Sequence, residues 1–301
     1  GSGQSLWTNR YGSVAVASSE GFAIVVSVAG DVIVTGYTTG DSYHDYATVA
    51  YSNSGLPLWT NVYGSAGIAD DRAVAIACDA SGKVFVTGYS EGETSGFDYA
   101  TIAYSNTGQP LWTNRYNGPA SAEDRPHGIA VDSNGNVYVT GSSAGIGSDD
   151  DYATVAYSNS GVPVWTNRYN GPGNYYDIAN AIAVDKAGNV FVTGESWAAT
   201  SEDFATVGYT SAGVPLWTNR FNGAGNGNDY AYAIAVDSSG NVFITGEARQ
   251  GVATANDYVT IKYSSSIPSP AYLNYQKLNG KLLLTWTNAG FSTKSSRLQR
   301  A

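Results

Sequence analysis

The sequence predicts an all-β fold built from tandem units, and three observations carry that prediction. Leu-Trp-Thr-Asn or Val-Trp-Thr-Asn recurs around Trp7, Trp59, Trp112, Trp165 and Trp217, at intervals of 52 or 53 residues. Two further markers keep the same phase. Val/Ile-Thr-Gly ends at Gly36, Gly88, Gly141, Gly194 and Gly246, and Asp-Tyr/Phe-Ala/Val-Thr begins at Asp45, Asp98, Asp151, Asp203 and Asp257. The third observation is compositional: 36 Gly, 23 Tyr and 7 Trp stand in a 301-residue chain that is only 13% charged. Turn formers and strand-favouring aromatics at about half the usual charge exclude a coiled coil and argue against a helical bundle.

Within one unit the strands follow in order. Ala233 to Asp237 is a first strand, and Asp237-Ser238-Ser239-Gly240 is a tight turn in which Asp caps its own backbone and Gly accepts positive φ. Asn241 to Thr245 is a second strand, Tyr258 to Tyr263 a third, and Leu216 to Phe221, from the preceding unit, a fourth. Four short antiparallel strands per ~52 residues describe a propeller blade. The N-terminal run Leu6 to Tyr11 is a fourth strand without its first three, and the last unit, Ala233 to Ser264, has three strands without a fourth. Together they complete one blade. The expected fold is a five-bladed β-propeller of four-stranded antiparallel blades over residues 1–266, with the N-terminal strand closing the last blade. Residues 267–301 change character. Ile267-Pro268-Ser269-Pro270 reads as a linker, and Ala271 to Thr287 as a hairpin turning at Asn279-Gly280. The hairpin resembles the opening of a truncated fibronectin-like module, and a polar terminus follows.

Segments such as Asn222 to Gly246 (NGAGNGNDYAYAIAVDSSGNVFITG) and Asn117 to Gly141 (NGPASAEDRPHGIAVDSNGNVYVTG) resemble the bacterial SBBP-type β-propeller repeat. The resemblance covers Leu6 to about Ser264. It implies the propeller fold and an exported bacterial setting, and it carries no reaction and no catalytic residue. Two departures matter. Five units occur rather than seven, and Ser27 stands where the other units have Asp79, Asp132, Asp185 and Asp237.

The net charge of −10 excludes a phosphate-neutralising surface for nucleic acid. A single cysteine, Cys78, excludes an internal disulfide framework, and no apolar run approaches the length of a membrane span. Gly1-Ser2-Gly3 reads as an expression scar, and a signal peptide removed before it fits an extracellular or cell-surface location. His44 and His127 fall in nonadjacent units, and the Asp-x-x-Gly turns lack the ligand spacing of a calcium loop, so neither a metal nor a cofactor is expected.

In an up-and-down blade the first and third turns lie on one face, and the second turn and the blade-to-blade connection on the other. The tight turns are uniform. The other face carries the loops that differ between units, and function belongs there. The residues that break the repeat on it are His44, Arg72, Arg125, His127, Tyr175, Tyr176, Trp197 and Arg249. These are the candidate ligand-binding residues. The repeated Asp, Arg and Trp positions are read as structural. Gly-x-Ser-x-Gly occurs at Gly88 to Gly92 and at Gly141 to Gly145, but no helix follows to make a nucleophile elbow. The expected function is that of a noncatalytic, secreted, monomeric propeller that binds or displays a glycan or protein partner. The alternatives are a glycoside-active enzyme using Glu91, Glu93, Glu195 or Glu247, or a structural spacer in a longer surface protein.

Overall fold

β-Branched and aromatic runs bounded by Gly-containing turns become strands in the computed structural model. It describes residues 3–12, 18–39, 43–65, 70–92, 94–198, 200–249 and 255–264, and the backbone of 272–278 and 281–287. No helix occurs among the described residues. The first sheet is β1 (Ser19–Val26), β2 (Val32–Thr39), β3 (His44–Tyr51) and β4 (Pro57–Tyr63). The second is β5 (Asp71–Cys78), β6 (Val84–Gly92), β7 (Gly96–Tyr104) and β8 (Pro110–Tyr116). The third is β9 (Asp124–Val131), β10 (Val137–Ala144), β11 (Asp150–Tyr157) and β12 (Pro163–Tyr169). The fourth is β13 (Asp177–Val184), β14 (Val190–Trp197), β15 (Glu202–Tyr209) and β16 (Pro215–Phe221), and the fifth β17 (Tyr230–Val236), β18 (Val242–Arg249) and β19 (Asn256–Tyr263). Strands pair antiparallel in chain order, so each sheet is one propeller blade. The expected C-terminal hairpin forms as β20 (Tyr272–Leu278) and β21 (Lys281–Thr287). The linker around Pro268 and Pro270, and the terminus after Thr287, lie outside the described residues.

The core lies between blades. Third strands read Asp-Tyr-Ala-Thr-x-Ala-Tyr without polar alternation because a neighbouring blade covers each face, and β11 is buried from Asp151 to Tyr157. Their threonines are satisfied by second-strand threonines: the hydroxyls of Thr87 and Thr101 lie 3.0 Å apart, and those of Thr193 and Thr206 2.9 Å. Their tyrosines cross to the next blade, Tyr46 donating to the Ala100 carbonyl at 3.2 Å and Tyr152 to that of Ala205 at 3.1 Å.

The Trp-Thr-Asn marker is a clamp between blades. Trp59 Nε1 donates to the Asn106 carbonyl at 3.2 Å and Asn61 Nδ2 to that of Gly108 at 2.7 Å, both in the next blade. Trp112 with Asn114 and Trp165 with Asn167 repeat this on Asn159, Gly161, Ser211 and Gly213. The glycine is required twice over. Gly108 has φ +82°, and a Cβ there would stand 2.6 Å from the Trp59 ring.

The Val-Thr-Gly marker has a different cause. Each first strand carries a β-bulge, and the skipped residues are Phe22, Val74, His127, Asn180 and Tyr232. The bulge pushes a carbonyl toward the second strand, so a Cβ on Gly88 would lie 2.0 Å from the Arg72 oxygen. It also re-aims the skipped side chain toward the next blade: His127 Nδ1 lies 3.0 Å from the Ala179 carbonyl, and Asn180 donates to that of Ala231 at 3.0 Å.

The expected pairing of Leu6 to Tyr11 with the third strand of the last blade is not formed. The fifth sheet has three strands, and residues 3–12 form none. The N-terminal segment nevertheless sits where the fourth strand of a blade preceding the first would sit: Trp7 Nε1 donates to the Asn53 carbonyl at 3.1 Å and Asn9 to that of Gly55 at 2.7 Å. Half the joint is made. Without the other half, Ile24 is 66% exposed on β1 and Tyr258 85% exposed on β19. This joint pairs segments nearly a chain length apart, so it carries the largest loop-closure cost of any in the fold.

Candidate functional site

The repeated polar residues form a buried relay on the variable-loop side of the second, third and fourth blades. In the third blade the buried Asp124 accepts the Gly118 N–H at 2.5 Å and lies beside Ser143. Arg168 donates to the Ser143 hydroxyl, to the Ser143 carbonyl at 2.7 Å, to Asp151 at 2.9 Å and to Tyr116 at 3.2 Å. Asp177, Ser196, Arg220, Asp203 and Tyr169 repeat the relay in the fourth blade. Each guanidinium bonds one carboxylate, Asp151 or Asp203, and its charge reaches a second, Asp124 or Asp177, which burial raises above the usual range despite the bonds it accepts. The repeated Asp and Arg are thus tied into the scaffold, Arg168 and Arg220 also bonding to the tyrosine hydroxyls. The first blade lacks the arginine. Val62 replaces it, and burial, then the charge of Asp71, raises Asp45.

The repeat-breaking residues fall into separate clusters. Between the first two blades, His44 Nδ1 lies 2.7 Å from Asp70 and 3.1 Å from Arg72 Nη2, and Arg72 pairs with Asp70 at 3.2 Å. The Tyr37 ring carries the Arg72 guanidinium at 5.0 Å and the His44 edge at 4.3 Å. Burial works to raise the Asp70 carboxyl, but the His44 bonds and the Arg72 charge outweigh it and hold it below the usual range. Between the second and third blades, Arg125 pairs with Glu123 at 3.0 Å and covers Tyr89 and Phe97 at 4.8 and 4.5 Å.

On the fourth blade, Tyr175 meets Trp197 edge to face at 6.1 Å. The Trp197 N–H donates to the Tyr176 carbonyl at 3.0 Å, and the Gly173 N–H to that of Trp197 at 3.2 Å. These bonds fix the loop while Tyr175 and Tyr176 stay about half exposed.

Two candidates belong elsewhere. His127 sits in the β9 bulge, where burial lowers its pKa, and it braces β13 instead of joining a loop cluster. Arg249 ties the 222–229 connection to its blade: its N–H donates to Asp229 at 2.8 Å and its carbonyl accepts the Gly225 N–H at 2.8 Å.

Glu195, one of the glutamates singled out in the sequence, lies in the joint between the fourth and fifth blades. Burial pushes its pKa up to about 7, partly opposed by Asn180, which donates to it at 2.7 Å, while Glu202 adds a like charge. Glu247 accepts the Tyr232 hydroxyl at 2.9 Å and Glu91 the Asp70 N–H at 3.2 Å. Glu93 lies outside the described residues. Tyr37, Tyr89, Asn180 and Tyr232 escaped the sequence reading. They occupy two positions, the residue after Val-Thr-Gly and the bulge residue, at which the units differ from one another.

Asp70, Asp71 and Asp151 are taken up by donors of the chain itself. Asp70 and Asp71 diverge, the first to His44 and Arg72 and the second to the Ser65 N–H at 2.6 Å. Asp151 serves Arg168, while burial and the charges of Asp149, Glu123 and Asp151 raise Asp150. Among the described residues no cluster of three or more His, Cys, Asp or Glu is spaced to hold a metal ion, and no helix is long and apolar enough to cross a membrane.

Comparison with known proteins matches this architecture. Among solved structures, the periplasmic gluconolactonase of Pseudomonas aeruginosa is 11% identical with a TM-score of 0.50, over 87% of this chain and 77% of that one. The β-propeller domain of the Trilobed protease from Pyrococcus furiosus is 6% identical with a TM-score of 0.50, over 90% and 80%. A eukaryotic initiation factor is 10% identical with a TM-score of 0.44, and this chain spans 54% of its length. Likenesses at such identity show the fold alone. No curated protein matches the sequence. Residues 115–147, 164–199 and 216–248 match the SBBP family, described as a beta-propeller repeat. Each match runs from within a fourth strand through the second strand of the next blade, so the third, fourth and fifth blades carry SBBP β-propeller repeats.

Proposed function

We propose that the protein is a noncatalytic, exported binding module whose variable-loop face recognises a glycan or protein partner. The observation that carries this reading is the Tyr175, Tyr176 and Trp197 cluster. Its backbone is pinned by hydrogen bonds while two tyrosine rings remain half exposed. Large, rigid, amphipathic rings on a braced loop add contact area at small entropic cost, which suits recognition. The test is a glycan array alongside a protein-partner capture. Trp197→Ala with Tyr176→Ala should abolish the signal while leaving the melting temperature within a few degrees, because the blades supply the stability. Retention of full binding in that variant sinks the reading.

One observation supports a glycoside-active alternative. A carboxyl held near pH 7, as Glu195 is, suits a general acid, and Glu202 is close enough to interact with it. Turnover on a chromogenic glycoside panel, lost in Glu195→Gln, would establish the enzyme. Absence of turnover in the parent protein would leave the binding module.

A further inference from the structure

The tight-turn side, opposite the variable loops, holds a cleft. It lies between the first and second blades, has a volume of about 320 Å³, and is bordered by Ser27, Asp31, Ile33, Trp59 and Asn106. The other blades explain why it exists. At the position of Ile33 the second, third and fourth blades carry Phe85, Tyr138 and Phe191. Each of these rings packs on its own blade's tryptophan, with centroids 5.9, 5.8 and 5.6 Å from Trp112, Trp165 and Trp217. Each of those tryptophans also meets a tyrosine of the following blade, Tyr157, Tyr209 or Tyr263. Trp59 has the second contact, with Tyr104 at 5.9 Å, but Ile33 supplies no ring for the first. One face of the indole is left open to the cleft.

A second break of the repeat polarises the same cleft. In the third, fourth and fifth blades the turn aspartate accepts the amide of an asparagine four residues later: Asn136 on Asp132 and Asn189 on Asp185, both at 2.8 Å, and Asn241 on Asp237 at 2.7 Å. The first blade has Ser27 and Asp31 in these places. Ser27 Oγ accepts the Asp31 N–H at 3.1 Å, and the Asp31 carboxylate takes no hydrogen bond from the described side chains. Asn106 brings an amide to the opposite rim, where its carbonyl already fixes the Trp59 ring.

We propose that this cleft binds a single pyranose residue, its C–H face on Trp59 and adjacent hydroxyls on the Asp31 carboxylate. The volume is at the lower end of the roughly 300–1,000 Å³ typical of small-molecule sites, so it limits the ligand to about one ring. An amphipathic ring suits a flat indole beside a charged acceptor, because a carboxylate accepts two hydroxyl donors in charge-assisted bonds. Ser27 and Asn106 can donate as well as accept, which a polyol uses and an alkylammonium does not. The site is separate from the loop face and does not depend on the function proposed for it.

The test is a titration of the full ¹⁵N-labelled chain with the methyl pyranosides of glucose, galactose, mannose and N-acetylglucosamine. The reporter is the Trp59 indole N–H, assigned by its absence in Trp59→Phe. One sugar should shift it saturably, with a Kd of about 1–10 mM. Ile33→Phe restores the ring that the other blades carry, so it should weaken binding at least about tenfold without lowering the melting temperature. Asp31→Asn should weaken it by about fivefold or more, and Trp197→Ala should leave it unchanged. A flat response to every pyranoside overturns the proposal, as does undiminished binding in a folded Ile33→Phe protein. A response to choline but to no sugar overturns the assignment of ligand class.

Discussion

Replacing Tyr258 by alanine tests how the two ends of the blade series meet. Its counterparts Tyr46, Tyr99, Tyr152 and Phe204 are at most 1% exposed, each pressed into a slot on the next blade, whereas Tyr258 is 85% exposed on the last one. A matching slot of about 180 Å³ waits on the first blade, lined by Gly21, Val34, Ala47, Val49 and Tyr51. These residues repeat the Ala73, Val86, Ala100, Ile102 and Tyr104 that receive Tyr46. Closure would set the Tyr258 hydroxyl on the Ala47 carbonyl, as Tyr46 sits on Ala100. It would also set Arg10 on Asp257, as Arg220 sits on Asp203 at 3.1 Å. A tyrosine buries roughly 150–250 Å², and hiding four-fifths of that at about 25 cal/mol/Å² contributes about 3–5 kcal/mol. That figure is an upper estimate, because the unfolded chain already hides some of the ring. In a closed ring Tyr258→Ala should therefore lower the urea unfolding free energy by about 3 kcal/mol at micromolar protein, close to the loss from Tyr99→Ala, whereas with the ends apart and the ring 85% exposed it should change little. A change below about 0.5 kcal/mol, of the size seen at uncoupled surface sites, would refute ring closure. A loss that grows with protein concentration would place the tyrosine in the slot of a second copy instead.

Glu195→Gln should stabilise the protein by about 2 kcal/mol at pH 8 and have no effect at pH 4. Burial raises the folded pKa from 4.5 to about 7, so stability is full below the unfolded value and is lost as pH rises through about 7. Partial exposure trims the full shift to that figure. Thermal scans of both proteins across this range check the sign. Arg168→Ala strands Asp151 and Asp124 in buried positions and should cost about 3 kcal/mol in urea unfolding, with Arg168→Lys recovering less than half because Lys cannot reach four acceptors in a plane. Val62→Arg should supply the guanidinium missing beside Asp45 and raise stability by about 1 kcal/mol at neutral pH, a gain that disappears when Asp45 is protonated. An unchanged pH profile in that variant would show that the arginine does not reach the carboxylate.

Blade number, strand order and the structural duty of the repeated residues were legible in the sequence, because scaffold demands recur every 52 or 53 residues. Trp59, Asn61 and Gly108 recur as a set because one clamp needs all three, and the tyrosine of Asp-Tyr-Ala-Thr recurs because each joint needs one ring. The loop face and its aromatics were legible for the opposite reason, as departures from that pattern. The bulge was not, since an extra residue in a strand leaves the periodic markers intact while placing His127, read as a loop residue, and Asn180 in the joints between blades. Nor was the raised pKa of Glu195, because desolvation depends on what neighbouring blades place around a side chain. The cleft beside Trp59 shows the same division. Ile33 and Ser27 are visible in the alignment of units, but they become an opening only when two sheets meet at fixed spacing and no ring fills the gap. The sequence by itself determined which elements form and repeat, through local strand and turn chemistry. Tertiary structure decided burial, pairing and the joint between the ends, because those depend on contacts between residues far apart in the chain.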